Sequence, residues 1–122
     1  MRPIDRYLRW LPPILMMAVI FAFSSIPSKE MPNFGLLDLL VKKGGHATGY
    51  GLLALSFWFA LKWDRRWLWL AFVLTALYAG SDEFHQSFVA GRHPSLVDVG
   101  IDSVGAILAL SIAWWVRRKK NK

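Results

Sequence analysis

The chain has no cysteine, which excludes disulfides and cysteine-ligated zinc. It has no internal repeat and no low-complexity segment, so solenoid, fibrous and linker architectures are set aside. Acidic residues are scarce, 8 against 15 lysines and arginines. No H-E-x-x-H or comparable metal-ligand spacing occurs.

Apolar residues dominate instead. They make up 55% of the 122 residues, and the mean hydropathy of +0.34 is high for a water-soluble chain of this size. The length allows one domain, residues 1–122. Four windows approach the about 20 apolar residues that cross a bilayer: roughly 8–26, 45–63, 67–87 and 97–116. The basic start and small residues of the first window also fit a cleaved signal peptide, but three further spans argue for an uncleaved first helix. The expected fold is therefore all-α, a four-transmembrane-helix bundle in the inner cell membrane. "FGLLDLLVKK" before the second window fits a separate short helix lying on the membrane surface. Pro12 and Pro13 fall at the start of the first helix, where a missing amide donor costs least.

The charges orient this bundle. With the N-terminus in the cytoplasm, 11 of the 15 basic residues lie on the inner side with only Asp5 and Asp64 for company. The outer side keeps Lys29, Lys42, Lys43 and Arg92 with six acids. That is a positive-inside distribution with both termini cytoplasmic. Six of the seven tryptophans sit near the inner ends, as an interfacial belt does. The pI of about 10.2 thus reflects topology and anionic lipid rather than nucleic acid, for which no basic surface exists beyond the span ends. Small residues suggest where helices approach: Gly45 and Gly49 in the second span, Ala76 and Gly80 in the third.

Polar residues collect at the outer ends of three spans. Lys43, His46 and Tyr50, at i, i+3 and i+7, share one helical face. The third span ends in Asp82, Glu83, His85 and Gln86, and the fourth begins with Asp98 and Asp102, one turn apart, followed by Gly105. An acid at a helix centre costs on the order of 2.5–3.5 kcal/mol. These acids are therefore expected to turn inward and meet Lys43, His46 or Arg92. A single buried ion pair often does no more than orient helices. A set this large marks a functional site.

These residues resemble the VanZ-like family of bacterial membrane proteins along most of the chain. "FAFSSIPSKEMP" is similar to the family's serine-then-proline end of the first span, and "KGGHATGYGLLAL" carries K-x-x-H-x-x-x-Y on Lys43, His46 and Tyr50. "DEFHQSFVAGRHPSLVDVGIDSVGA" resembles E-x-x-Q-x-F, G-R and D-x-x-x-N-x-x-G, on Glu83, Gln86, Phe88, Arg92, Asp98 and Gly105. Asp102 stands where many members have asparagine. The resemblance implies a cell-envelope protein, and the founding member is associated with resistance to the glycopeptide teicoplanin.

Several chemistries fit the cluster. In the first, His46, Glu83, Asp98 and Asp102 are catalytic, with Glu83 or Asp98 as base and His46 as acid or nucleophile. Lys43 and Arg92 hold a phosphate, and Tyr50 and Gln86 orient a phospholipid or lipid-linked precursor. No cofactor is called for. A divalent cation held by Glu83, Asp98, Asp102 and His46 is an alternative, with His85 and His93 as further ligands only if they leave the solvated edge. A second class is non-catalytic: a recognition pocket for an envelope partner or lipid that alters glycopeptide susceptibility. Transport is a third, and it would require an oligomer.

Overall fold

The computed structural model describes residues 3–24, 36–89 and 96–120. The described chain is all-helical, with no strand. A short helix α1 (Pro3–Leu8) leads through a turn into α2 (Leu11–Ser24). Pro12 and Pro13 occupy the first turn of α2, where their missing N–H groups would have no intrahelical acceptor. The expected end of this span, residues 25–35, lies outside the described residues.

Next comes α3 (Leu36–Ala60), 25 residues without interruption. The expected separate surface helix is therefore corrected: Leu36–Lys43 is the first part of α3. Glycines stand at 44, 45, 49 and 51, yet none breaks the helix, because each costs only about 1 kcal/mol relative to alanine. A 3₁₀ turn (Arg65–Trp67) joins α3 to α4 (Leu68–Gln86), and α5 (Leu96–Lys120) closes the chain. The bounds of α4 match the expected third span. At the basic end α5 extends four residues beyond the expected fourth.

The reversal after α3 is built by a Schellman motif. The Trp63 N–H donates to Trp58 O and the Lys62 N–H to Phe59 O, both at 2.9 Å. Lys62 takes the left-handed conformation (φ 65°) that glycine usually supplies there. The Trp58 and Trp63 rings meet edge to face at 5.1 Å, the apolar contact that accompanies this cap. Trp58 Nε1 closes the turn by donating to Asp64 O at 3.0 Å. The Asp64 side chain accepts from the Arg66 N–H and guanidinium. Those bonds, the guanidinium's first, hold its carboxyl below the ordinary carboxylate range.

Packing centres on α3, which touches α2, α4 and α5 and pairs most extensively with α5. That pairing depends on small residues at two positions. A Cβ placed on Gly105 would overlap the carbonyl oxygen of Ala47 and come within 3.0 Å of its carbonyl carbon. A Cβ on Gly51 would lie 3.1 Å from Ala109 Cβ and 3.2 Å from Gly105 O. Ala47 and Gly51 on α3 thus face Gly105 and Ala109 on α5, a small-residue step on each helix. The expected steps are corrected: Gly45, Gly49 and Gly80 have nothing within 4 Å of a Cβ.

The interior holds Leu53, Ala54, Phe57 and Trp58 of α3 with Ala71, Ala79, Ala106 and Leu110. Around it large apolar side chains face outward on every long helix, among them Leu15, Leu52, Leu77 and Ile112. Among the described residues one helix segment, Val99–Lys119 of α5, is long and apolar enough by itself to cross a membrane, with mean hydropathy 1.7. The described part of α2 has 14 residues, fewer than a crossing needs. The polar ends of α3 and α4 lower their averages.

Replacing Gly105 by alanine should destabilise the protein by about 1–3 kcal/mol through overpacking. Gly49→Ala should be neutral or stabilising by up to about 1 kcal/mol. Unfolding in mixed detergent micelles measures both. Equal losses in the two variants would place the close crossing somewhere else.

Candidate functional site

One stripe of α4 is buried from end to end and changes character along its length. It runs Ala71, Thr75, Ala79, Asp82, Glu83 and Gln86, the three- and four-residue steps of one helical face. Thr75 satisfies its hydroxyl locally, donating to Ala71 O at 2.8 Å. Beyond Ala79 the stripe becomes wholly polar. There α3 supplies Tyr50 and His46, and α5 supplies Asp102, which the Gly105–Ala47 crossing brings within reach one turn away.

The contacts are specific. Tyr50 is 1% exposed and donates its hydroxyl to Asp82 Oδ2 at 2.8 Å. His46 Nδ1 lies 3.7 Å from Asp102 Oδ1, close enough for an ion pair when the imidazole is protonated. The His46 and Tyr50 rings stack with centroids 6.1 Å apart, and Tyr78 lies 6.1 Å beyond Tyr50. Tyr78 ties this row to α2 by donating to Met17 O at 2.6 Å. Glu83, Gln86 and Asp102 are all buried. The Gln86 amide nitrogen is buried without a hydrogen-bond partner, an unmet donor of the kind that buried groups rarely leave open. The His46 side chain, 33% exposed, is the accessible member of the group, against 2% for Asp102.

Of the residues expected from sequence, the structure gathers His46, Tyr50, Glu83, Gln86 and Asp102 at one end of α3, α4 and α5. Lys43 and Asp98 lie in α3 and α5, but their side chains fall outside the described residues, as do Arg92 and His93 entirely. Asp102 does meet His46. His85 leaves the cluster, its ring stacked on Phe21 of α2 at 4.2 Å. Phe88 is exposed and meets Phe84 edge to face. Among the described residues no group of three or more histidines and carboxylates is arranged to hold a metal ion.

The sequence reading counts Asp82 among the clustered acids without a partner of its own and does not single out Tyr78. Asp82 is the acceptor for Tyr50, and Tyr78 is the link to α2. The spacing Thr75, Tyr78, Asp82, Gln86 already marks one polar helical face, a signal masked by the adjacent Glu83.

Opposite this end, the other end of the bundle is cationic and aromatic. Arg117 lies 4.7 Å over the Trp63 ring, Arg118 and Arg65 lie over Trp114, and Lys119 lies 4.2 Å over Trp115. Arg9 sits 4.2 Å over Phe59 and donates from Nε to Phe59 O at 3.0 Å.

The described residues are all helical, with apolar side chains facing outward and an α5 long and apolar enough to cross a membrane, features that suggest a membrane protein. The sequence model of the VanZ/LLP1 family matches residues 9–117, and the chain belongs to that family. No curated protein and no solved structure matches it.

Tyr50→Phe should cost about 1–3 kcal/mol, because it leaves the buried Asp82 carboxyl without that donor. Tyr78→Phe, which loses a bond to one backbone carbonyl, should cost about 0.6 kcal/mol. Detergent unfolding of the two variants checks the order, which would reverse if Asp82 were held mainly by other groups.

Proposed function

We propose that the protein is a single-domain, four-span protein of the inner membrane with both termini in the cytoplasm. Its polar end lies at the outer leaflet and receives the head group of a phospholipid or a lipid-linked envelope precursor. The observation that carries this reading is the buried Tyr50–Asp82 and His46–Asp102 cluster, open at His46, at the end of the bundle opposite the arginine–tryptophan belt. Two supports stand beside it. Leucine, isoleucine, phenylalanine and tryptophan side chains face outward on all long helices, a distribution that soluble monomers avoid. Cations over tryptophan rings at the far end suit the cytoplasmic interface.

In this reading Lys43 and Arg92 hold the head-group phosphate, Arg92 in two-pronged fashion. Gln86 offers its amide nitrogen to a head-group oxygen. Glu83 or Asp98 serves as base and His46, at the opening, as acid or nucleophile. Tyr50 orients Asp82 as well as the ligand, since its hydroxyl is committed to that carboxylate. The site calls for no cofactor.

Lipidomics of deletion cells carrying wild type or the Glu83→Gln, Asp98→Asn double variant, at equal membrane levels, tests the proposal. A lipid or wall-precursor pool that changes only with wild type is the expected result. An unchanged pool with a folded variant would overturn lipid processing and favour a protein that binds an envelope partner.

A further inference from the structure

The surface on either side of Leu52 and Leu55 of α3 is grooved. Between α2 and α3 runs an apolar groove of about 550 Å³ whose walls include Leu15, Val19, Leu52, Leu55, Phe59 and Trp63. Leu52 and Leu55 also border a second apolar groove of about 290 Å³, along the α3–α5 crossing. The larger groove begins at the basic end of the bundle, and that end is built. Phe59 and Trp63 meet edge to face at 5.8 Å and form its aromatic floor. Arg9, from the turn before α2, lies over Phe59, while Arg117, from α5, lies over Trp63. Each of the two rings that line this end of the groove thus carries a guanidinium over its face.

Arg9 is fixed rather than free to sweep the surface. Its Nε–H is bound by Phe59 O at 3.0 Å and its plane rests on the Phe59 ring. That bond uses one of its five donors. A rigid guanidinium with open donors at an interface matches a phosphate better than a flexible lysine would. Of the two acids at this end, Asp64 is taken by Arg66 at 2.9 Å, and Asp5, one turn before Arg9, leaves the end with a large excess of arginine and lysine.

We infer that this groove is a binding site for one anionic phospholipid of the cytoplasmic leaflet, with an acyl chain along Leu15, Val19, Leu52 and Leu55 and the phosphate between Arg9 and Arg117. The inference rests on the membrane orientation proposed above, but not on the polar site at the opposite end. Charge complementarity decides the occupant. A second copy of this chain docked here in parallel would bring another Arg9 and Arg117 against the first pair, like charge against like. Basic pockets between membrane helices on the cytoplasmic side recognise anionic head groups in this way.

The test uses the full chain in nanodiscs of dioleoylphosphatidylcholine doped with dioleoylphosphatidylglycerol, read by native mass spectrometry of retained lipid. Wild type should retain one phosphatidylglycerol per chain in preference to phosphatidylcholine. Arg9→Gln with Arg117→Gln should weaken that retention by roughly 30-fold, about fivefold for each charge. Arg65→Gln with Arg118→Gln, a control at Trp114, should change it less than about threefold. Leu55→Trp keeps every charge and fills the groove, so it should also abolish the preference. Equal loss in both arginine pairs with no effect of Leu55→Trp would overturn the site in favour of diffuse surface charge. Cross-linking of Leu55→Cys between copies, insensitive to phosphatidylglycerol, would overturn it in favour of a dimer. Extraction of the chain from membranes by alkaline carbonate would sink the membrane reading itself. A carbonate-resistant chain with no lipid preference sinks this inference alone.

Discussion

The approach of α5 to α3 at Gly105 is the constraint on which the rest of the molecule depends. With a hydrogen in place of a side chain, the backbone of α5 can lie against the Ala47 carbonyl. A separation this small is set by hard contact rather than by soft side chains, so it fixes both the rotation and the depth of the two helices. Asp102 sits one turn from Gly105 on α5, and His46 is the neighbour of Ala47 on α3. Their 3.7 Å contact is therefore a consequence of the crossing. Tyr50 lies one turn further along α3 and presents its hydroxyl to α4, where Asp82 accepts it.

From this crossing the bundle separates into two chemical ends. One is acidic, buried and hydrogen-bonded, and the other is cationic, aromatic and exposed. Between them the interior is alanine, leucine, phenylalanine and tryptophan, and the exterior is apolar as well. In water such an exterior would be unfavourable, whereas in hydrocarbon it costs nothing, and the polar end has to face inward. At the far end the arginine side chains and indole rings cover one another in cation–π contacts.

Membership of the VanZ/LLP1 family is consistent with this division. The family-like residues Tyr50, Glu83, Gln86 and Gly105 are each buried or at the helix crossing, and His46 lies at the opening. Asp102 adds a carboxylate to this end, and it is the partner of His46. The buried Gln86 amide nitrogen, without a hydrogen-bond partner among the described residues, is the feature that most invites a ligand. The apolar groove at the other end is lined by a separate set of side chains.

The sequence by itself determined the helical class, the order of the long helices and the gathering of acids at one end and bases at the other. These properties are local: apolar run length, proline position and charge count need no knowledge of a neighbouring helix. Helical spacing also placed His46 and Tyr50 on one face, and Asp102 and Gly105 on another. Spacing gives a face but not a partner. Which glycines lie at the crossing was settled by the tertiary structure, which chose Gly51 and Gly105 and left Gly45 and Gly49 open. It likewise assigned Tyr50 to Asp82 rather than Glu83, moved His85 onto Phe21, and opened the groove beside Phe59. The physical reason is common to all of these. Partners across helices depend on rotation and relative depth, and those are fixed only when two backbones meet at contact distance.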